Sequence, residues 1–332
     1  MSERVATTPG LYPLPDRAKE DLADLKGHQK GDLIDGSEGP AITDVYDRAR
    51  AEAVADQDDA GLDRIVEGQL RWDDLLAHPL TVSDAVETGG IVRYYDNNNF
   101  YRDPQIVNDL QPTGDVAAEL EAVRGSTEGP LQAVLPGPYA LADLATDEHY
   151  GDEAELLAGV AEFLAGEAEQ LPPHETLFLL DPSLVTSPPD DDIAERLPAA
   201  VDRVAGATDA DVVLHSYWGA HDETAYAHLM DADIDAFGVD LIHEREDTLY
   251  NLTEYGTHDD VALGVVDGQN TRVETPETVR ERADWFEERV PSQAFDTVYL
   301  AANTELFYLP VAPYREKLSA LAAAADEEEV AA

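Results

Sequence analysis

Short β-branched runs alternate with longer amphipathic stretches along most of the chain, and this rhythm constrains the fold more than any single motif does. Eight runs read as strands: RIVEG (64–68), GIVRYY (90–95), LQAVLPG (131–137), TLFLLDP (176–182), DVVLHSY (211–217), DAFGVDLI (235–242), VALGVVDG (261–268) and DTVYLAA (296–302). Helical patterns lie between most of them. The clearest is 152–171; another, 275–290, opens on Thr275 as a capping residue, Pro276 in the first turn and an acid behind it. Continuously apolar strands separated by helices predict a parallel sheet covered on both faces. Eight such strands predict a (β/α)8 TIM barrel; a doubly wound open sheet is the alternative, but no G-x-G-x-x-G follows an early strand. The expected partition is one barrel over 1–325, with an N-terminal arm and helices in 1–60, and a frayed acidic tail at 326–332.

The chain has no cysteine, which excludes disulfides, thiolate nucleophiles and every cysteine-ligated metal site. Asp and Glu number 71 against 21 Lys and Arg, for a formal charge of −50. Such a charge repels phosphate backbones and anionic lipids, so neither nucleic acid nor membrane is an expected partner. The acids are spread along exposed helix faces. That is the pattern expected of a halophile, because molar salt cuts the screening length to ~3 Å. No apolar run approaches the ~18 residues of a membrane span. MSERVATTPG lacks the basic-then-apolar order of a signal peptide, so a cytoplasmic location is expected.

Polar residues recur where the strands end: Glu67 and Gln69, Arg93 to Asn99, Asp181, His215, Asp240, Asp267, and Asn303 with Glu305. A parallel barrel gathers all these ends at one mouth, where its active site lies. Singly, each reads more readily as a cap or turn former than as a ligand. The stretch RYYDNNNFYRDP (93–104) has two readings. It is an Asn-rich turn whose aromatics seal the barrel, or a platform on which Tyr94 stacks against a planar ring while Arg93, Asn98 and Arg102 meet its polar groups.

Several segments together resemble the cobalamin-independent methionine synthase family: 53–76, VLPGPYALADLA (134–145), LFLLDPSL (177–184), LMDADIDAFGVDL (229–241), 263–282 and VYLAANTELFYLP (298–310). The resemblance implies a single barrel acting in methyl transfer from a tetrahydrofolate or other pterin to homocysteine. It also implies a zinc site built from a His-x-Cys pair, a Glu and a second Cys. In this chain those positions match His215, Tyr217, Asp240 and about Leu306. Two donors are therefore replaced, and zinc is not expected; His215 and Asp240 are the remnants. A third ligand from Glu305 or His221 is the weighed exception. The amino-acid site has changed too, with Leu11 for a serine and Gln69 for a glutamate, while a carboxylate persists at Asp181 unless the match falls on Leu180. The candidate substrate-binding residues are thus Gln69, Arg93, Tyr94, Asn98, Asp181, His215, Tyr217 and Asp240. Two functions follow: a methyltransferase acting alone or as half of a split enzyme, and a catalytically silent barrel that holds the methyl donor for a zinc-bearing paralogue. A decarboxylase-like or corrinoid-dependent barrel is a third reading, weakened by the lack of an arginine cluster.

Overall fold

The computed structural model describes residues 2–23, 38–95, 97–290 and 294–326. Its strands, in chain order, are β1 (Glu3–Ala6), β2 (Ile65–Val66), β3 (Val86–Arg93), β4 (Phe100–Ile106), β5 (Leu131–Pro136), β6 (Thr146–Asp147), β7 (Thr176–Leu180), β8 (Asp211–His215), β9 (Ala236–Asp240), β10 (Asp260–Val266) and β11 (Thr297–Ala302). Eight of them form one sheet in the order β1-β11-β10-β9-β8-β7-β5-β2, and its pairings are parallel. The ends of that sheet meet. Asp63 N donates to Ala6 O at 3.0 Å, and Ala6 N donates to Asp63 Oδ2 at 2.7 Å. Gln132 bolts the seam from inside, accepting from Thr7 Oγ1 and donating to Thr8 O. The result is a (β/α)8 barrel.

The strands are apolar throughout because helices cover their outer faces and neighbouring staves fill the interior; β7, TLFLL, is buried along its whole length. The helix Glu153–Ala168 starts where Asp152 accepts from Glu155 N, and Pro276–Glu287 starts at the expected Thr275 cap. The C-terminal helix Val311–Ala325 packs on Pro40–Ala60, close to the helix expected at 41–61. Among the described residues no helix is long and apolar enough to cross a membrane.

Two staves differ from expectation. GIVRYY (90–95) is not one of them. Its residues 90–93 are the end of β3, which pairs antiparallel with β4 in a separate sheet of order β3-β4-β6. A β-branched run looks the same in a stave and in a surface hairpin, and only its exposure separates them. The missing stave is β1, inside the segment expected to be an arm. Only Val5 and Ala6 of its four residues are buried, too short a run to register as a strand. Most of the acidic tail, 327–332, lies outside the described residues.

Candidate functional site

The mouth is built from the C-terminal ends of the staves, and its β8–β9–β11 side is densely hydrogen-bonded. His215 ends β8 and is wholly buried. Its Nε2 donates to the Asn303 carbonyl at 2.9 Å, which leaves Nδ1 as a bare lone pair with no partner. Burial holds the imidazole below its ordinary pKa, so it is neutral. The close approach of β9 requires Gly238, where a Cβ would sit 2.3 Å from His215 Nδ1. Asp240, at the end of β9, accepts from the backbone N of Trp218, Ile242 and His243, from His243 Nδ1 at 2.9 Å and from Asn303 Nδ2 at 2.9 Å. Burial pushes its carboxyl up, but the bonds from His243 and Asn303 outweigh that and hold it below the usual carboxylate range. His243 is thus the Asp240 counter-group, and its pKa is raised by that bond.

The hairpin side is different in kind. Tyr94 is fully buried and donates its hydroxyl to Glu305 Oε1 at 2.7 Å. Tyr217 occupies the place next to His215, with ring centroids 5.7 Å apart, and its hydroxyl lies beside the same carboxylate without hydrogen-bond geometry. Tyr95 and Trp218 complete an aromatic plug: Tyr94–Tyr95 are 4.6 Å apart, Tyr217–Trp218 4.8 Å and Tyr95–Trp218 5.2 Å. Glu305 Oε2, Tyr217 OH, Ser216 Oγ and Asp181 Oδ1 are buried with no protein partner. Burial pushes the Glu305 carboxyl up, and that of Asp181 up to about 8, although Asp181 Oδ2 accepts from Tyr139 N at 3.0 Å. Asp181 is therefore mostly protonated at neutral pH. Glu305, Ser216 and Asn303 are mouth residues that the site reading missed or left unassigned; only the polar stave ends signalled two of them.

Gln69 stands at a third place. Its Oε1 accepts from Leu11 N at 2.9 Å, and with Leu11, Trp72 and Phe307 it lines a cavity of about 170 Å³. Gln69 and Leu11 both adopt φ +49°, as Tyr95 (+42°) and Trp218 (+75°) also sit in the left-handed region. Non-glycine residues there cost of order 1–3 kcal/mol each, and such strain clusters at functional sites. Glu67 holds the loop by accepting from Gln69 N and from Arg50 Nε, and Arg50 also reaches Glu119.

Arg93 and Asn98 are exposed on the hairpin and are not gathered with the buried cluster. Tyr94 offers no open ring face, because Tyr95, Tyr101 and Trp218 pack edge-on around it. Arg102 is buried and bonded to Asp74, tying the hairpin to the barrel rather than facing the mouth.

The residues at the zinc positions do not fit that metal. Leu306 has no donor atom and is buried. Tyr217 is a phenol held well above its ordinary pKa, by burial first and then by Glu305. Asp240 spends its oxygens on five donors. The alternative third ligand, His221, packs its ring 5.0 Å from Phe237, and among the described residues no group of three His, Asp or Glu side chains is placed to hold a metal ion.

A parallel barrel with its polar cluster at the strand C-termini defines the class: a (β/α)8 protein with an active-site mouth in the usual place. The family model described as "Cobalamin-independent synthase, Catalytic domain" matches residues 6–300, and the chain belongs to that family. Methionine synthase of Thermoplasma volcanium is 25% identical over 248 residues, covering 71% of this chain and 66% of that protein, just under two thirds of its length. That of Sulfurisphaera tokodaii is 23% identical over 279 residues, covering 82% of this chain and 78% of that one. A B12-independent methionine synthase from Shewanella, solved in complex with selenomethionine, superposes with TM-score 0.76 at 18% identity over 98% of this chain and 97% of its own. A putative vitamin-B12-independent methionine synthase from Listeria monocytogenes gives TM-score 0.68 at 17% identity, covering 98% of each chain.

Proposed function

We propose that this chain serves methionine synthesis by methyl transfer to homocysteine, as one half of a split enzyme whose other half is a zinc-bearing barrel of the same family. The observation that carries the reading is the ligand set His215, Tyr217, Asp240 and Leu306 inside an otherwise intact family barrel. A thiol becomes a nucleophile near neutral pH through a metal or a base that takes its proton. Here two of the four donors are replaced, Asp240 is committed to the fold, and His215 is tied through Nε2 to the Asn303 carbonyl. The thiol is then activated elsewhere, on the partner. Gln69, Asp181, His215, Tyr217 and Asp240 form the inner site in this reading, with Tyr94 at its lid. Arg93 and Asn98 stand outside it on the hairpin, suited to the anionic end of a tetrahydrofolate or other pterin methyl donor. A cytoplasmic location and a salt-rich habitat belong to the same reading, supported by the acidic composition.

The plug of Tyr94, Tyr95, Tyr217 and Trp218 favours a second reading, in which the chain is catalytically silent and only holds the methyl donor. One experiment tests both. Untagged protein is purified in high salt, its zinc is measured by plasma mass spectrometry, and methionine formation is followed with the chain alone, with a zinc-bearing family member alone, and with the two mixed. The split enzyme predicts no stoichiometric zinc in this chain and turnover only in the mixture. Stoichiometric zinc, or turnover by this chain alone, makes it an autonomous enzyme. A mixture no faster than the zinc-bearing member alone removes the split reading. Donor binding without any gain in turnover leaves the silent barrel.

A further inference from the structure

We infer that the cavity beside Gln69 is a subsite for an acyl group, a carboxylate or carbonyl at the end of a short chain, with the Gln69 amide nitrogen as its donor. The two sources considered for that group, homocysteine and the glutamyl end of a folate-type donor, rest on the methyl-transfer reading above; the subsite itself rests on the geometry of the loop. Gln69 is buried, and its amide can stand only one way round. Leu11 N is a donor, so the atom that meets it at 2.9 Å is Oε1 and not the nitrogen. Oε1 also fills the space beside Gly10, where a Cβ would lie 2.3 Å from it. The Gln69 N–H donates to Glu67 Oε2 at 2.6 Å, and the Gln69 carbonyl accepts from Trp72 N at 3.0 Å. Every polar group of Gln69 is thus used except Nε2, which has no partner among the described residues. The loop is also held from behind. Arg50 binds Glu67, and Gln69 and Leu11 keep their left-handed φ of +49° at a cost in strain.

Size, walls and charge fit that group. The cavity of about 170 Å³ is smaller than the ~300–1,000 Å³ of a pocket for a whole drug-sized ligand, so it takes the end of a chain and not a complete folate. Leu11, Trp72, Leu75 and Phe307 give it apolar walls against which methylene groups are buried. Lys19 and Asp73 line it too, one of each sign; Lys19 is exposed and Asp73 half-buried, so the pair adds no net charge and is screened by salt. The donor without a partner is then the group that selects. An acyl oxygen satisfies it, whereas an ammonium has only donors and sets N–H against N–H. A second space of about 10 Å³, shared by Gln69, Glu67 and Glu119, holds no more than a single water. A water there is the competing partner for Nε2, and it predicts no effect of Gln69 on ligand affinity.

The test is ligand-observed NMR on the full chain in molar KCl with three probes: homocysteine stripped of its amino group, the p-aminobenzoylglutamate fragment of a folate, and homocysteine stripped of its carboxyl group. At least one of the two acyl probes is expected to bind about tenfold or more tighter than the amine probe. Gln69→Glu keeps an oxygen for Leu11 N and turns the free donor into an acceptor. It is expected to weaken acyl binding by about tenfold or more and to leave the amine probe as tight or tighter. Circular dichroism checks that the variant is folded; if it is not, the ranking of the probes on the wild type decides. Binding of the thiol acid assigns the subsite to homocysteine, and binding of the folate fragment alone assigns it to the donor. Three results overturn the inference: neither acyl probe binds, the amine probe binds as tightly as they do, or a folded Gln69→Glu leaves their affinities unchanged. Turnover in the mixed-barrel assay judges the split enzyme separately, so either can fall while the other stands.

Discussion

The two sides of the barrel mouth solve the same problem in opposite ways. On the β9–β11 side, Asp240 spends both its oxygens on five donors, and Asn303 links it to Gly268 and, through its carbonyl, to His215. On the hairpin side, Glu305, Tyr217, Ser216 and Asp181 keep buried polar atoms with no protein partner. The first side ties its carboxylate into the scaffold, although His215 Nδ1 stays unpartnered. The second packs aromatic rings around polar atoms that have no protein partner.

That contrast predicts unequal costs. Asp240→Ala strands five donors at once and is expected to destabilise the fold by about 3–5 kcal/mol in denaturant titrations at fixed salt. A loss under about 1 kcal/mol would show that the scaffold account of Asp240 is wrong. Asp181 sharpens the other side. Its folded pKa is raised to about 8, above the ordinary value, so its contribution is fully present below about pH 4 and lost as pH rises through 8. The wild type should therefore lose stability relative to Asp181→Asn between pH 4 and pH 8, by up to roughly 5 kcal/mol; parallel profiles would mean the carboxyl is already ionised.

Smaller effects separate the two tyrosines that meet Glu305. Tyr94→Phe removes a bond to a buried carboxyl and is expected to cost about 1–2 kcal/mol. Tyr217→Phe removes a hydroxyl that completes no bond and is expected to cost less than about 0.5 kcal/mol. Equal losses would erase the difference between a bonded and an unbonded phenol. Finally, the Asp240–His243 pair has a signature in pH. Asp240 is depressed, so its share is lost as pH falls through its folded value; His243 is raised, so its share is lost as pH rises through its own. In the wild type this pair contributes most between about pH 4 and 6.5, and His243→Gln should flatten the alkaline limb of that window.

Seven of the eight staves were legible because each is an apolar run bounded by turn residues. β1 escaped because a four-residue strand at a seam carries too few apolar positions to show a period. GIVRYY misled because composition reports that a run prefers extended backbone, without saying which sheet it joins. The mouth was legible as a set of polar stave ends, and His215, Asp240 and Asp181 lie there. Tyr94 reached the site list through the hairpin, but its role did not. Its bond to Glu305 spans most of the chain, and nothing local in either segment signals it. Arg102 looked like a scarce cation free for an anion; Asp74, the group that claims it, arrives from a separate turn.

The seam at β1 bears on how the protein is made. Glu3 takes its register from Thr297, and Ala6 from Leu300, so β1 receives its ladder partner only once a segment far along the chain has been made. Without β11, the run of staves from β2 to β10 is an open sheet with both edge strands bare. Contacts this distant in sequence close slowly, and unpaired edges invite mispairing while they wait. Residues 3–6 have no ladder to join until β11 exists, and a misplaced β1 would leave the seam open.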